Sequence, residues 1–459
     1  MSSSILCIKP EELDTVEKRG KYTVSVVGCG QIGVLHACLF AEAGFKVKCV
    51  DADQTIVNSI LRGRIPLLKR EIELKLKNYV KTGLLNATNE TKTAVSQSDV
   101  IAITVPVEIN EKKKANYSNL ENICRQVGLG LRRGSLVVVM STIGIGVTQG
   151  LIKETLENTS GFRVGTDFGL AYSPIRVLNG QTLEAPANHE RIVAATDMNS
   201  LNAASTILGT FTKGFLRKTE CVKAAEAVTL FEAVKQDVNV ALANELALFC
   251  EKAGVDYLEA RKLANNGAYS VLSLPTLVDG NIREESYLLL EDSENLNFKL
   301  RVPAIARETN EEIVKHAVNL TKDALRNCGK TLRRTRISLL GILQVPNTKS
   351  SPKKMVEELA KMLEARGAKV GIYDPYFSGD ELGETQYHVK KNLNDALEGV
   401  DCILILTGHD QFKRLNLKKL KALMKMPAAI VDLEGIVEPD KVEKEGFIYR
   451  GLGRGVWTK

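Results

Sequence analysis

This sequence predicts an α/β fold class: two doubly wound parallel-sheet domains joined by a long central helical segment. Three observations carry that expectation. Residues 21–53, KYTVSVVGCGQIGVLHACLFAEAGFKVKCVDAD, read as strand, glycine turn, helix, strand. From Glu220 to Ala253 there is neither Gly nor Pro. At about residue 335 a strand pattern restarts, in RTRISLLGILQVP. Strands alternating with helices build Rossmann-like domains. The expected division is 1–215, 216–330 and 331–459.

Each element has its own justification. Residues 23–27, TVSVV, are apolar and β-branched and make the first strand. The helix after the glycine turn is small and apolar, with Gly44 at its stop. KVKCV forms a second strand ending at Asp51. SDVIAITVP (98–106) and SLVVVMST (135–142) read as buried parallel strands. In the glycine-free stretch, Ala224, Ala227, Val228, Phe231, Val234, Val238, Leu242 and Phe249 fall largely at helical spacing. Gly254 stops that helix, which at 1.5 Å per residue is about 50 Å long and suits a bridge between domains or a dimer seam. Beyond 335, a helix (352–366) and strands in KVGIYDPY, DCILILTG and AAIVDLEG complete a second βαβ domain. The stretch Leu277–Leu290, LVDGNIREESYLLL, reads as a polar loop entering a short apolar element.

Composition narrows the class. Apolar residues make 44% and charged residues 25%, which suits a globular chain with several cores. Apolar runs such as VVVM and CILIL are strand-length and far short of the roughly 20 residues of a membrane span. The opening MSSSILCIKPEELDTVEKRG lacks a basic region followed by an apolar one and reads as a leader to the first strand. Nine scattered cysteines without a CxxC argue for a reducing, cytoplasmic setting and against a disulfide framework or structural zinc; no metal site is expected. The net charge of +7 comes from LKREIELKLK, EKKK and LNLKKLKALMK, which read as solvated helix faces. Aromatics are only 5% and no basic-aromatic interleaving occurs, so no nucleic-acid partner is expected.

The first chemical motif is Gly28-Cys29-Gly30-Gln31-Ile32-Gly33, between a strand and a helix. Glycines there allow a tight turn and let backbone amides approach a pyrophosphate at the helix N-terminus. Asp51, ending the second strand, suits ribose hydroxyls and repels a 2′-phosphate, which favours NAD over NADP. Val105, in VPV, and Ser141 and Thr142, in MSTIGIG, lie at later strand ends, where open α/β sheets bind ligands.

Several further segments stand in a telling order: AYSPIRVLNG (171–180), DVNVALANELA (237–247), ARETN (306–310), VPNT (345–348), YDPY (373–376), LTGHDQF (406–412) and YRGLGRG (449–455). With the glycine motif they make the chain, from 22 to 455, resemble the UDP-glucose/GDP-mannose dehydrogenase family, most of all its UDP-N-acetylmannosamine type. The resemblance implies an NAD-binding domain (1–215), a central dimerisation domain (216–330) and a nucleotide-sugar-binding domain (331–459). It implies a four-electron oxidation of a sugar 6-hydroxyl, in which a cysteine thiolate captures the aldehyde and a thioester is hydrolysed.

Carried over position by position, the resemblance fails at the chemistry. The family's glutamate after its Pro falls on Ile175, and its central-helix lysine and asparagine fall on Thr229 and Ala233. Its nucleophilic cysteine falls on Asn281, and the aspartate of that motif on Glu285. A nucleotide-holding lysine falls on Val345, and an arginine on Glu434. No cysteine exists between Cys250 and Cys328, whatever the alignment. Arg176, Arg307 and Asn310 remain as polar groups for a substrate cleft. Glu284 and Glu285 read as solvated loop acids, and His409 and Asp410 as a turn or helix cap. The resemblance thus implies an NAD-binding homologue lacking the usual thioester machinery. The alternatives are an inactive member acting as partner of an active paralogue or as cofactor sensor, and an oxidoreductase performing a different two-electron reaction.

Overall fold

A computed structural model describes residues 4–65, 70–175, 188, 190–266, 271–377 and 388–457. They form two compact units: 1–232 with 287–298, and 233–286 with 299–459.

The first unit is built on an eight-stranded sheet. Its strands are β1 (Thr23–Val27), β2 (Lys46–Val50), β3 (Leu85–Thr88), β4 (Val100–Ile103), β7 (Leu136–Val139), β8 (Gly169–Tyr172), β9 (Arg191–Ala195) and β10 (Leu216–Thr219). A separate two-stranded hairpin pairs β5 (Glu108–Ile109) with β6 (Ala115–Asn116). The sheet order is β10-β9-β8-β7-β4-β1-β2-β3, with β8–β9 its antiparallel pair and the others parallel. The order in which strands are added therefore reverses about β1: β2 and β3 lie to one side, β4 and β7 to the other. Strand-end loops diverge at such a switch point and leave a crevice. Val24, Val26, Val47, Cys49, Val100 and Ala102 fill one face of these strands with the helix Gln31–Glu42.

The second unit carries a fully parallel six-stranded sheet. It comprises β11 (Arg336–Leu340), β12 (Lys369–Tyr373), β13 (His388–Val389), β14 (Cys402–Ile405), β15 (Ala429–Asp432) and β16 (Ile448–Gly451), in the order β13-β12-β11-β14-β15-β16. Period-two alternation sends Cys402 and Leu404 to one core and Ile403 and Ile405 to another, so both faces are covered.

The helix expected after Glu220 spans Val222–Ala253. Phe231, Leu242 and Phe249, all in the predicted stripe, are exposed along it. Leu242 and Phe249, seven residues apart in the second unit, share one face.

The stretch read as a loop entering an apolar element is instead a helix, Asn281–Asn295. Of its five buried residues, Ser286–Leu289 are consecutive and the fifth, Ser293, is polar, which hides the helical period. Consequently Glu284 and Glu285 are helical and half-buried rather than loop acids. His409 is the N-cap of the helix Asp410–Lys413, as expected.

Candidate functional site

In the first unit, β1 runs into the glycine turn with Gly28 at φ +94°. A Cβ at Gly28 would come within 2.8 Å of Val105 Cγ2, and one at Gly33 within 2.0 Å of the Gly28 carbonyl oxygen. Thr104 Oγ1 donates to that same carbonyl at 2.6 Å. Glycine is thus required at 28 and 33 for backbone closeness. Gly30 faces open space, and no side chain caps the helix Gln31–Glu42 that follows it. The partial positive charge of that helix end therefore points outward.

Asp51 stands at the end of β2. Its Oδ2 accepts from Cys29 N at 2.8 Å and its Oδ1 from Asp53 N at 3.0 Å. Sequence reasoning identified the acid but not this role: the carboxylate fastens the glycine turn to the second strand. Val105 is buried at the end of β4, and Ser141 Oγ donates to Ile103 O at 3.4 Å. Ser141 and Thr142 lie in the loop after β7 and cap no helix. So the structure brings Gly28–Gly33, Asp51 and Val105 to the β1/β2/β4 strand ends, with Ser141 and Thr142 just past the end of the neighbouring strand β7.

One feature of this unit has no signal in the motif. The loop after Ser141 and Thr142 has its amides taken by side chains. Gly144 N donates to Tyr117 Oη at 3.0 Å, Ile145 N to Asp292 Oδ2 at 2.7 Å, and Gly146 N and Thr148 N to the two oxygens of Glu226 at 2.6 and 2.8 Å. Burial raises the carboxyl pKa of Glu226 and of Asp292 above the ordinary range, against the lowering pull of those amides.

In the second unit, Arg307 and Asn310 are 2% and 0% exposed. Arg307 Nε lies 2.6 Å from Asp237 Oδ2. Asn310 Nδ2 donates to Asp237 Oδ1 at 2.7 Å and Asn310 Oδ1 accepts from Asn244 at 2.8 Å. Asn244 in turn clasps the backbone of Thr276. Their polar atoms serve an internal network. Arg176 lies outside the described residues.

The loop following β11 is also held internally. Val345 N donates to Ser350 Oγ at 3.1 Å, and Asn347 N to His409 Nδ1 at 2.9 Å. That contact makes His409 Nε2 the protonated nitrogen facing Asp374 Oδ2 at 3.1 Å. Buried Lys353 donates to Leu406 O at 2.6 Å and lies 3.7 Å from Glu434.

The positions that the resemblance marks as catalytic are poor in reactive groups. Ile175 packs against the first core. Thr229 is buried, with Oγ1 donating to Glu226 O at 3.3 Å on its own helix, and Ala233 is buried. Asn281 opens its helix with an exposed side chain. Cys250 and Cys328, which flank this segment in sequence, are buried, and burial raises both thiol pKa values. All nine cysteines are free thiols. Among the described residues, no group of three or more His, Cys, Asp or Glu is arranged for a metal ion, and no helix is long and apolar enough to cross a membrane.

Comparison with known proteins agrees with this architecture. The sequence matches the UDP-glucose/GDP-mannose dehydrogenase family's NAD binding domain over 22–212, its central domain over 223–312 and its UDP binding domain over 341–439. It is 30% identical to a UDP-N-acetyl-D-mannosamine dehydrogenase of Pyrococcus horikoshii, across 94% of this chain and 99% of that one. A UDP-glucose 6-dehydrogenase of Rhizobium meliloti is 25% identical, across 94% and 99%. The solved structure of the UDP-D-ManNAc dehydrogenase from Pyrococcus horikoshii superposes with a TM-score of 0.85, at 30% identity, covering 95% of this chain and 100% of that one. The chain belongs to the UDP-glucose/GDP-mannose dehydrogenase family, and its cofactor domain is the family's NAD-binding one.

Proposed function

We propose that this chain binds NAD at the glycine turn and is a nucleotide-sugar dehydrogenase homologue that does not run the family's thioester oxidation. The observation that carries the reading is an intact dinucleotide cradle in a chain with no cysteine from 251 to 327. NAD, when bound, supplies a hydride acceptor. Gly28, Gly30 and Gly33 let backbone approach the pyrophosphate, and the amides of Gln31 and Ile32 open the helix toward it. Asp51 receives ribose hydroxyls on a carboxylate already oriented by Cys29 N. Val105 offers an apolar wall, and Ser141 and Thr142 offer donors at the next strand end.

The thioester step needs a thiolate. Neither flanking cysteine favours that form, since burial raises both pKa values. Ala233 has no polar side-chain atom, and the Thr229 hydroxyl is turned to its own helix. Val345 also replaces a lysine that the family uses on its nucleotide, and Glu434 replaces a family arginine. These replacements favour an inactive member, acting as partner of an active paralogue or as a cofactor sensor, over a different two-electron reaction. The division into 1–215, 216–330 and 331–459 is retained as the functional one. The exposed Leu242 and Phe249 of the second unit support association through the central helix, as a homodimer or with such a paralogue.

Calorimetric titration with NAD, followed by NADH absorbance with UDP-N-acetylmannosamine and UDP-glucose, tests this reading. NAD binding without NADH formation is expected. Two NADH per sugar sinks the reading; one NADH per sugar selects the two-electron alternative.

A further inference from the structure

The residues Tyr287–Phe298 belong to the first unit, although the chain on either side belongs to the second. Within that unit they grip two loops. On the β5–β6 hairpin, Ala115 N donates to Glu291 Oε2 at 2.6 Å, Lys114 pairs with Glu294, and the Lys113 ammonium sits 5.3 Å over the Tyr287 ring. On the loop after β7, Ile145 N donates to Asp292 Oδ2 at 2.7 Å. The first loop leaves β4 just past Val105, and the second leaves β7 just past Ser141 and Thr142. One stretch of helix thus holds both loops that follow residues assigned to the cofactor.

The fit around Asp292 is close. A Cβ at Gly144 would meet Asp292 Oδ1 and Tyr117 Oη, each at 2.7 Å, so a larger residue there would displace both acceptors. With Glu226, these side chains accept four amides between Gly144 and Thr148. Orphaning such an amide destabilises the loop conformation that exposes it.

We propose that Asp292, with Glu291 beside it, is a positioning residue for NAD: it holds the loop after Ser141 and Thr142 in its cofactor-binding shape. The proposal rests on the reading that these two residues line the NAD site. It assigns the 287–298 segment a task inside the dinucleotide domain, separate from the nucleophile position at Asn281.

The test is Asp292→Ala in the full chain, read by amide hydrogen exchange and by NAD titration. Exchange across 143–148 is expected to rise about tenfold, with NAD affinity falling by about the same factor. Asp292→Asn keeps an acceptor and is expected to restore affinity to within about threefold of wild type. Faster exchange with unchanged NAD affinity overturns the proposal, as does unchanged exchange. Asp51→Ala in the same titration separates the two readings. If it weakens NAD while Asp292→Ala does not, only the positioning role fails. If neither weakens NAD, or the wild type does not bind it, the cofactor reading fails and this proposal with it. Should Asp292→Ala not fold, Tyr117→Phe removes one acceptor of the same loop; about threefold weaker NAD binding is expected, and wild-type affinity overturns the proposal.

Discussion

The strand ends of the two sheets differ in what they do with their backbone donors. At β1 the turn faces outward: Gly30 borders open space and no side chain caps the next helix. At β11 the loop closes on its own unit, with Asn347 N on His409, Val345 N on Ser350 and Lys353 on Leu406 O. Both sites lie where the strand order of a doubly wound sheet reverses. Topology makes a crevice available; whether donors remain for a ligand depends on which side chains the loops carry.

If the polar groups of the second unit serve structure, removing one must reduce stability. Arg307→Ala leaves Asp237 a buried, uncompensated charge and is expected to destabilise that unit by about 3–5 kcal/mol in urea unfolding. A loss below about 1 kcal/mol would mean that Arg307 is not needed to hold Asp237 in that unit.

Asp432, at the end of β15, sharpens it further. Burial pushes its pKa up to about 6, against the amides of Val437 and Glu434. The unfolded value lies near 4. A carboxyl with a raised folded pKa contributes stability below about pH 4 and loses it as pH rises through about 6. The stability difference between wild type and Asp432→Asn should therefore move by about 2–3 kcal/mol against wild type from pH 4 to 7.5. A flat difference contradicts the buried-carboxyl account.

In the first unit the expected effect is on binding. Gly33→Ala sets a methyl 2.0 Å from the Gly28 oxygen, so the turn must open. NAD affinity is expected to fall about a hundredfold, about 2.7 kcal/mol, in calorimetry. An unchanged dissociation constant removes the turn from the cofactor site. The smallest effect belongs to Lys353→Met, which leaves Leu406 O without its donor and is expected to lower stability by about 1–2 kcal/mol. A stabilised variant would mean that the amine serves a ligand instead of the loop.

Much of the fold was legible because its signals are local. β-branched runs marked β1, β2, β4, β7 and β11, and a long stretch without Gly or Pro marked the central helix. Asn281–Asn295 was not legible, because its buried apolar residues, Tyr287–Leu289, are adjacent and the buried residue one turn further on, Ser293, is polar. The glycine cradle could be read in sequence, since its glycine spacing between a strand and a helix is local, although the neighbour that crowds Gly28 is Val105, far along the chain. The engagement of Arg307 and Asn310 could not, since their partner Asp237 lies on another helix, 70 and 73 residues earlier in sequence.

The two parallel-sheet halves, the long helical stretch and the missing cysteine can be read from the residues alone, because periodicity, glycine placement and residue identity need no third dimension. That Asp51 fastens the glycine turn, that Asp292 and Glu226 hold the loop past Thr142, and that side chains of the second unit hold the strand-end loop at β11 is visible only in the folded chain. Those are distance relations between residues far apart in the chain. They follow from which buried donors must find acceptors once the cores have packed.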